Sequence, residues 1–240
     1  MTGYIELLDN DEIKDLSSGS CIFIGSLCPK GDFSDLLAGK NNVVYVRPES
    51  LEGDGTLAKP FSSIAEAIEK AQDGDFIALS KGVFRESIDF TKNINVIGAC
   101  SEMTEIHLGE ESERKAIIQM GEAGSYKLSN LKVKGEQCGL VIDGENVKAS
   151  LNSVIFDSVR TCGLQISGKH IEVDMENIVV RDTRSRKADR ELGIGAEIAG
   201  GAFVKVRNLN LIGNRSAALG IFGTGTIVHM ESVVISNTKS

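Results

Sequence analysis

The sequence has no apolar run long enough to cross a membrane as a helix, and its opening, MTGYIELLDNDEIKD, lacks the basic start and apolar core of a signal peptide. It also lacks an excess of positive charge. Lys and Arg number 26 against 34 Asp and Glu, and the resulting net charge of −8 argues against nucleic acid as a partner, because a basic face is needed to displace its counterions. Histidine is sparse and scattered, at His107, His170 and His229, so no metal site and no cofactor is implied. Cysteine is present in an odd number, five, at positions 21, 28, 100, 138 and 162, which excludes complete intramolecular pairing. The stretch CIFIGSLC allows either a small disulfide loop between Cys21 and Cys28 or two buried thiols. What is there, 41% hydrophobic and 25% charged residues with 26 glycines, describes a folded globular chain, neither disordered nor collagen-like, and 240 residues suffice for one large domain.

The strongest internal signal is a repeat. The apolar pairs Tyr126/Leu128, Ala149/Leu151, Val173/Met175, Val204/Val206 and Val228/Met230 alternate with polar neighbours, as half-buried strands do. Each is followed by a second alternating pair: Leu131/Val133, Val154/Phe156, Ile178/Val180, Leu209/Leu211 and Val233/Ile235. Just before the second pair stands a small polar residue, Asn130, Ser153, Asn177, Asn208 or Ser232. Such a residue suits a one-residue corner in the left-handed backbone region, and an asparagine amide can bond its equivalent one repeat away. A third strand follows in CGLVI, CGLQI, IGAEI and LGIFG, with Gly139, Gly163, Gly195 and Gly220 aligned. Successive second strands start 23, 24, 31 and 24 residues apart, so one repeat carries an insertion. Three short strands per repeat of about two dozen residues predict a parallel β-solenoid, in which each coil buries its apolar face only against its neighbours. A leucine-rich repeat also accepts L-x-x-L-x-V but wants Asn or Cys eight residues after the first Leu, and only Asn214 among Glu136, Val159, Thr183, Asn214 and Thr238 complies.

Upstream, GDGTLAKPFSSIAEAIEKAQDGDFIALSKGVFRESIDFTKNINVIGA reads as a turn, a short amphipathic helix over about 60–72 and then strands. Ser62 or Ser63 is placed to cap the helix, Ile64, Ala67, Ile68 and Ala71 form its apolar face, and Gly74 ends it. The pattern D-G-T-x-x-x-P-F-x-S-I-x-x-A-I-x-x-A-x-x-G-D-x-I-x-L-x-x-G-x-F-x-E-x-I, from Asp54 to Ile88, resembles the opening of the pectate-lyase-like superfamily of right-handed parallel β-helices. The resemblance runs from about Val43 to the C-terminus and includes the asparagine column. It implies an all-β, right-handed, three-sheet solenoid over residues 41–240 with a helical N-terminal cap, preceded by an acidic extension over 1–40. It also implies an extracytoplasmic or cell-surface setting and a substrate groove on the outer face of the glycine-led sheet, flanked by long third turns. The chain stops at SNTKS in mid-coil, which predicts either sequence beyond it or a protein contact at that end.

The insertion falls in such a third turn: RDTRSRKADREL, Arg181 to Leu192, has five basic and three acidic residues in an otherwise acidic protein. Alternation in the third strands points Cys138, Leu140 and Ile142 inward and puts Val141, Gln165, Glu197 and Phe222 on the outer face. Glu197 is then the candidate general acid or base, with Gln165 and Phe222 as binding residues. Arg184, Arg186 and Arg190 are placed to bind a uronate carboxylate or to supply charge at a developing enolate. The alternative for the insertion is a solvated loop whose bases pair with its own Asp182, Asp189 and Glu191. Cys138 and Cys162, one coil apart, read as core thiols, with a coil-to-coil disulfide as the lesser reading, and Ile194 and Leu219 continue their column. Asp54 and Thr56 read as turn formers. The tandem-aspartate, glycine-histidine-glycine and arginine-isoleucine-lysine signatures of polygalacturonase-like hydrolases are missing, as are the clustered aspartates of a calcium-dependent lyase. The function this favours is a non-catalytic surface scaffold that contacts polysaccharide. The alternatives are a polysaccharide lyase or glycoside hydrolase acting on an acidic glycan, and a structural or assembly module.

Overall fold

The computed structural model describes residues 12–14, 21–188 and 190–239, with side chains from residue 24 onward. Much of the acidic extension, Asp189 and the side chain of Cys21 therefore lie outside the described part. Five long strands, Gly124–Gly135, Val147–Asp157, Glu172–Arg181, Phe203–Ile212 and Ile227–Ser236, stack in parallel. Each is really two strands joined at a corner. In the first, Lys127 to Ser129 pair with strand Asn95–Gly98, whereas Lys132 to Gly135 pair with a different strand, Thr104–Leu108. The third face is a separate parallel sheet of six strands running from Ile88–Asp89 through Ala116–Met120, Cys138–Glu145, Cys162–Lys169 and Ile194–Ala199 to Ala217–Ile221. Among the described strands only the small pair Glu12–Lys14 and Cys21–Phe23 is antiparallel. The architecture is a parallel β-helix.

The corner column is where the sequence places it. Asn130, Ser153, Asn177, Asn208 and Ser232 have φ of 64°, 59°, 55°, 58° and 56°. The Asn208 amide donates to Asn177 Oδ1 at 2.9 Å, and Asn130 Nδ2 donates to the carbonyls of Gly98 and Ala99, both at 3.0 Å. Asn177→Leu should therefore cost about 2 kcal/mol, combining left-handed backbone strain with a lost hydrogen bond. An unchanged urea midpoint would remove the ladder as a stabilising element.

Both inward columns also keep their expected register: Leu128 pairs with Leu151, Met175, Val206 and Met230 in turn, and Leu131 with Val154, Ile178, Leu209 and Val233. Most of these side chains are fully buried in one continuous core, each contributing about 1.5–3 kcal/mol by leaving water.

In the third sheet the register differs at one repeat. Ile194 pairs with Ala217 and Ala196 with Leu219, so Ala218, and not Gly220, continues the column of Gly139, Gly163 and Gly195. The stretch SAALGIFG offers the same alternation two residues apart, and the preceding turn sets which is used. Ala217 likewise replaces Leu219 above Ile194.

The cysteines also differ from expectation. Cys28 is bonded to Cys100, 72 residues away, so it is neither looped to Cys21 nor a thiol. Cys138 and Cys162 form the coil-to-coil disulfide. Cys138 clusters with Ala116, Val141 and the half-buried Cys162, apart from the solenoid interior that receives Leu140 and Ile142. At the start of the third strand the chain is still leaving the turn, so simple alternation does not extend back to residue 138.

The helix runs Ile64–Lys70, with Ser63 accepting from the Glu66 amide and Ala71, not Gly74, closing it. Its buried face, Ile64, Ala67 and Ile68, joins the main core. Glu86 completes the N-terminus, accepting from the amides of Ile64 and Ala65 at 2.8 and 3.1 Å, where a carboxylate suits both the unpaired N–H groups and the helix dipole. In the GDGT turn, Asp54 accepts from the amide and hydroxyl of Thr56, which makes both residues turn formers. Residues 24–32 lie along the outside of the coils. Ile24 packs on the outward side chains Ile155 and Val179, Ser26 and Asn130 exchange hydrogen bonds, and Lys81 donates to the Pro29 carbonyl.

Candidate functional site

The inserted turn leaves the coil after Thr183 and returns at Gly193. Its neck is closed by the Thr183 hydroxyl, which donates to the Gly193 carbonyl at 2.7 Å, and its tip by the Arg186 amide on the Glu191 carbonyl at 2.8 Å. Asn214, fully buried, holds the base by accepting from the Thr183 amide and donating to the Val180 carbonyl. The turn is thus a built structure.

Beside it opens a cleft of about 630 Å³, to whose lining seven bases contribute: Arg160, Arg184, Arg186, Lys187, Arg190, Arg215 and Lys239. Three of them occupy equivalent positions in successive third turns, Arg160, Arg184 and Arg215, and Arg160 and Arg184 are bridged in parallel. Glu136 lies one coil earlier, beside Gln137, which the register of the second strands sets against Arg160. Its carboxylate takes Arg160 Nε at 2.8 Å, Arg184 Nη1 at 2.7 Å and Lys187 Nζ at 3.3 Å. Arg184 also donates to the Gly135 carbonyl at 2.8 Å. Lys187 reaches Glu110 as well, and Lys239 lies 3.6 Å from Asp182. Arg186 lies 3.8 Å from Glu191, the self-pairing that the solvated-loop alternative describes.

Burial would raise the pKa of Glu136, yet its carboxyl lies below the usual carboxylate range because the hydrogen bond from Arg160 and the charges of Arg184 and Lys187 outweigh burial. A depressed folded-state pKa gives stabilisation that is complete above the ordinary carboxylate range and is lost as pH falls through the folded value. Glu136→Gln should therefore cost about 1–3 kcal/mol at pH 7. It should also lose less than the wild type on acidification to about pH 3. Parallel acid slopes in urea titrations would show that Glu136 is not the titrating anchor.

The outer face of the third sheet carries the other expected residues. Gln119, Val141, Gln165 and Glu197 are in register, one per coil. Gln165 Nε2 donates to Glu197 Oε1 at 3.3 Å, and Gln119 Nε2 to Asp143 Oδ1 at 2.7 Å. Above Glu197 the position belongs to Gly220. Phe222, exposed, folds back so that its ring edge lies 3.5 Å from where a side chain on Gly220 would begin. The ring thus covers the end of the column from two residues away.

Of the expected site residues, Arg184, Arg186 and Arg190 line the cleft, whereas Gln165, Glu197 and Phe222 do not. Sequence reasoning missed Glu136, Arg160, Lys187, Arg215 and Lys239. Arg160 and Arg215 were findable, since they fall at the same place in the repeat as Arg184. Among the described residues no group of His, Cys, Asp and Glu could hold a metal, and no helix is long and apolar enough to cross a membrane. His229 stacks edge-on to Phe203 and His107 pairs with Glu105, both on the surface.

No family model matches the chain, and no curated protein matches it significantly. Among solved structures it is similar to a pectin methylesterase in complex with hexasaccharide VII, with 12% identity over 84% of this chain and 92% of that one and a TM-score of 0.43. A rhamnogalacturonan lyase is similar at 12% identity over 83% and 75%, with a TM-score of 0.41. The pectin methylesterase PemA from Erwinia chrysanthemi is similar at 11% identity over 82% and 90%, with a TM-score of 0.36. The fold of this chain is established by its own strand pairing.

Proposed function

We propose that this chain is a non-catalytic, extracytoplasmic β-helix scaffold that contacts an acidic polysaccharide. In this reading the helix is right-handed, as nearly all parallel crossovers are, and the segment Ile64–Lys70 caps its N-terminal end. The carrying observation is the concentration of seven basic side chains at one cleft of a protein whose net charge is −8. The glycan lies along the outer third sheet against Gln165, Glu197 and the Phe222 ring, and its carboxylates reach toward Arg184, Arg186 and Arg190. Two disulfides support an oxidising compartment.

The test is a panel of acidic and neutral polysaccharides at low salt, read for binding and for new reducing or unsaturated ends. Acidic glycans should bind, more weakly as salt rises, without cleavage. Replacing Arg186 and Arg190 with Ser should lower affinity at least tenfold. Arg184 is left intact because Glu136 and Gly135 tie it into the coil. No binding by any acidic glycan would sink the reading. Cleavage would favour the lyase or hydrolase alternative, supported by the Glu197 carboxylate that Gln165 orients. Glu197→Gln should then stop turnover and spare binding, since an amide keeps the shape but cannot exchange the proton.

A further inference from the structure

The two disulfides are built differently. Cys138 and Cys162 open neighbouring parallel strands whose register, Leu140 on Leu164, sets one cysteine against the other, so strand pairing holds them face to face with or without the bond. The Cys28–Cys100 bond has one fixed end. Cys100 is fully buried in the bend between strands Asn95–Gly98 and Thr104–Leu108, whereas Cys28 lies in no helix or strand, is half-buried, and follows Leu27, which is 85% exposed. Besides the bond, residues 24–28 are held by the Ile24 contact with Ile155 and Val179, by the Ser101 hydroxyl on the Ile24 carbonyl, and by the exchange between Ser26 and Asn130. Beyond Cys28 the arm is anchored again: Lys81 donates to the carbonyls of Pro29 and Asp32, and Asp32 pairs with Arg47 at 2.8 Å. A thiol pair that the fold keeps in place re-forms its bond at a high effective concentration, and a pair of which one member can swing away does not.

We propose that Cys28–Cys100 is a redox gate: a dithiol reductant opens it ahead of Cys138–Cys162, residues 24–28 swing out about the anchor at Pro29, and the outward apolar pair Ile155 and Val179 is uncovered. One thiolate of the dithiol attacks Cys28 Sγ, the end nearer solvent; the Cys28–Cys100 bond breaks and its electron pair leaves on Cys100 Sγ, which takes up a proton. The second thiolate then attacks the reductant's own sulfur in the mixed disulfide, releasing Cys28 as a thiol after protonation and the reductant as its disulfide. Two electrons and two protons pass to the protein. Glu102 sets the rate of the first step. Its exposed carboxylate lies 3.7 Å from Cys28 Sγ and repels an incoming thiolate, while the Lys81 ammonium is engaged by the Pro29 carbonyl. The gate is independent of the polysaccharide reading and requires no glycan.

The direct test is a titration of the native whole chain with dithiothreitol at pH 8, in which newly formed thiols are trapped by alkylation and each cysteine is scored by mass spectrometry. Cys21, which belongs to neither bond, is scored separately. Cys28 and Cys100 should become labelled together at a reductant concentration about tenfold or more below that needed for Cys138 and Cys162. In the same samples amide exchange of residues 24–28 should accelerate in proportion to Cys28 labelling, while the strand Phe203–Ile212 keeps its protection. Glu102→Gln should speed the labelling of Cys28 about threefold at low salt, and the difference should shrink as salt rises. Labelling of Cys138 and Cys162 first, or of all four cysteines together, overturns the gate. So does full reduction of Cys28 with unchanged exchange in residues 24–28, since the arm would then stay docked. An unchanged rate in the Glu102 variant removes that carboxylate as the rate-setting group.

Discussion

Gly163→Val should lower the unfolding free energy by about 3 kcal/mol or more, because it overpacks a place where two sheets meet at backbone distance. A Cβ on Gly163 would overlap Val180 Cγ1 and stand 2.5 Å from the Gly195 carbonyl oxygen. On Gly139 it would stand 2.6 Å from both the Gly163 carbonyl and the Phe156 ring. These glycines let the third sheet close against the inward Phe156 and Val180. Gly220→Ala is the matched control. It meets nothing nearer than the Phe222 ring edge at 3.5 Å, so its cost should stay within about 0.5 kcal/mol. Denaturant unfolding of the two variants therefore tests the register itself. Equal costs would mean that Gly220, rather than Ala218, continues the column.

Replacing Cys28 and Cys100 together with Ser should cost about 4 kcal/mol, the loop-closure value for a link spanning 72 residues. The effect should be local as well as global. Without the bond, residues 24–26 are held by the Ile24 contact with Ile155 and Val179 and by the exchange between Ser26 and Asn130. Amide exchange in that segment should accelerate far more than in the corner strands, and the two outward apolar side chains should become accessible to an apolar dye. Unchanged protection and an unchanged midpoint would show that the arm is held without the disulfide.

The parallel coil, its corner and both inward columns could be read from residues alone. Within a coil, alternation of period two decides which side chains face inward, and a slip of one residue would put Leu131 and Val133 in water. The corner residues announce themselves because few side chains tolerate positive φ at five equivalent places. Glu197 and Gln165 fell into register for the same reason.

Contacts between distant parts of the chain were decided only in three dimensions. Nothing in the spacing of Cys28 and Cys100 announces a bond, since it depends on how residues 24–32 cross several coils. The apolar outward pair Ile155 and Val179 looks anomalous until Ile24 covers it. Phe222 moved by two residues because the preceding turn, and not strand alternation, sets where the last third strand enters its sheet. The basic cleft likewise depends on stacking. Glu136, Arg160, Arg184 and Arg215 are separated along the chain by whole coils, and only the short rise per coil brings their charges within reach of one another. Local alternation encodes the coil; the turns, whose lengths vary and whose side chains obey no period, decide what the coils hold between them.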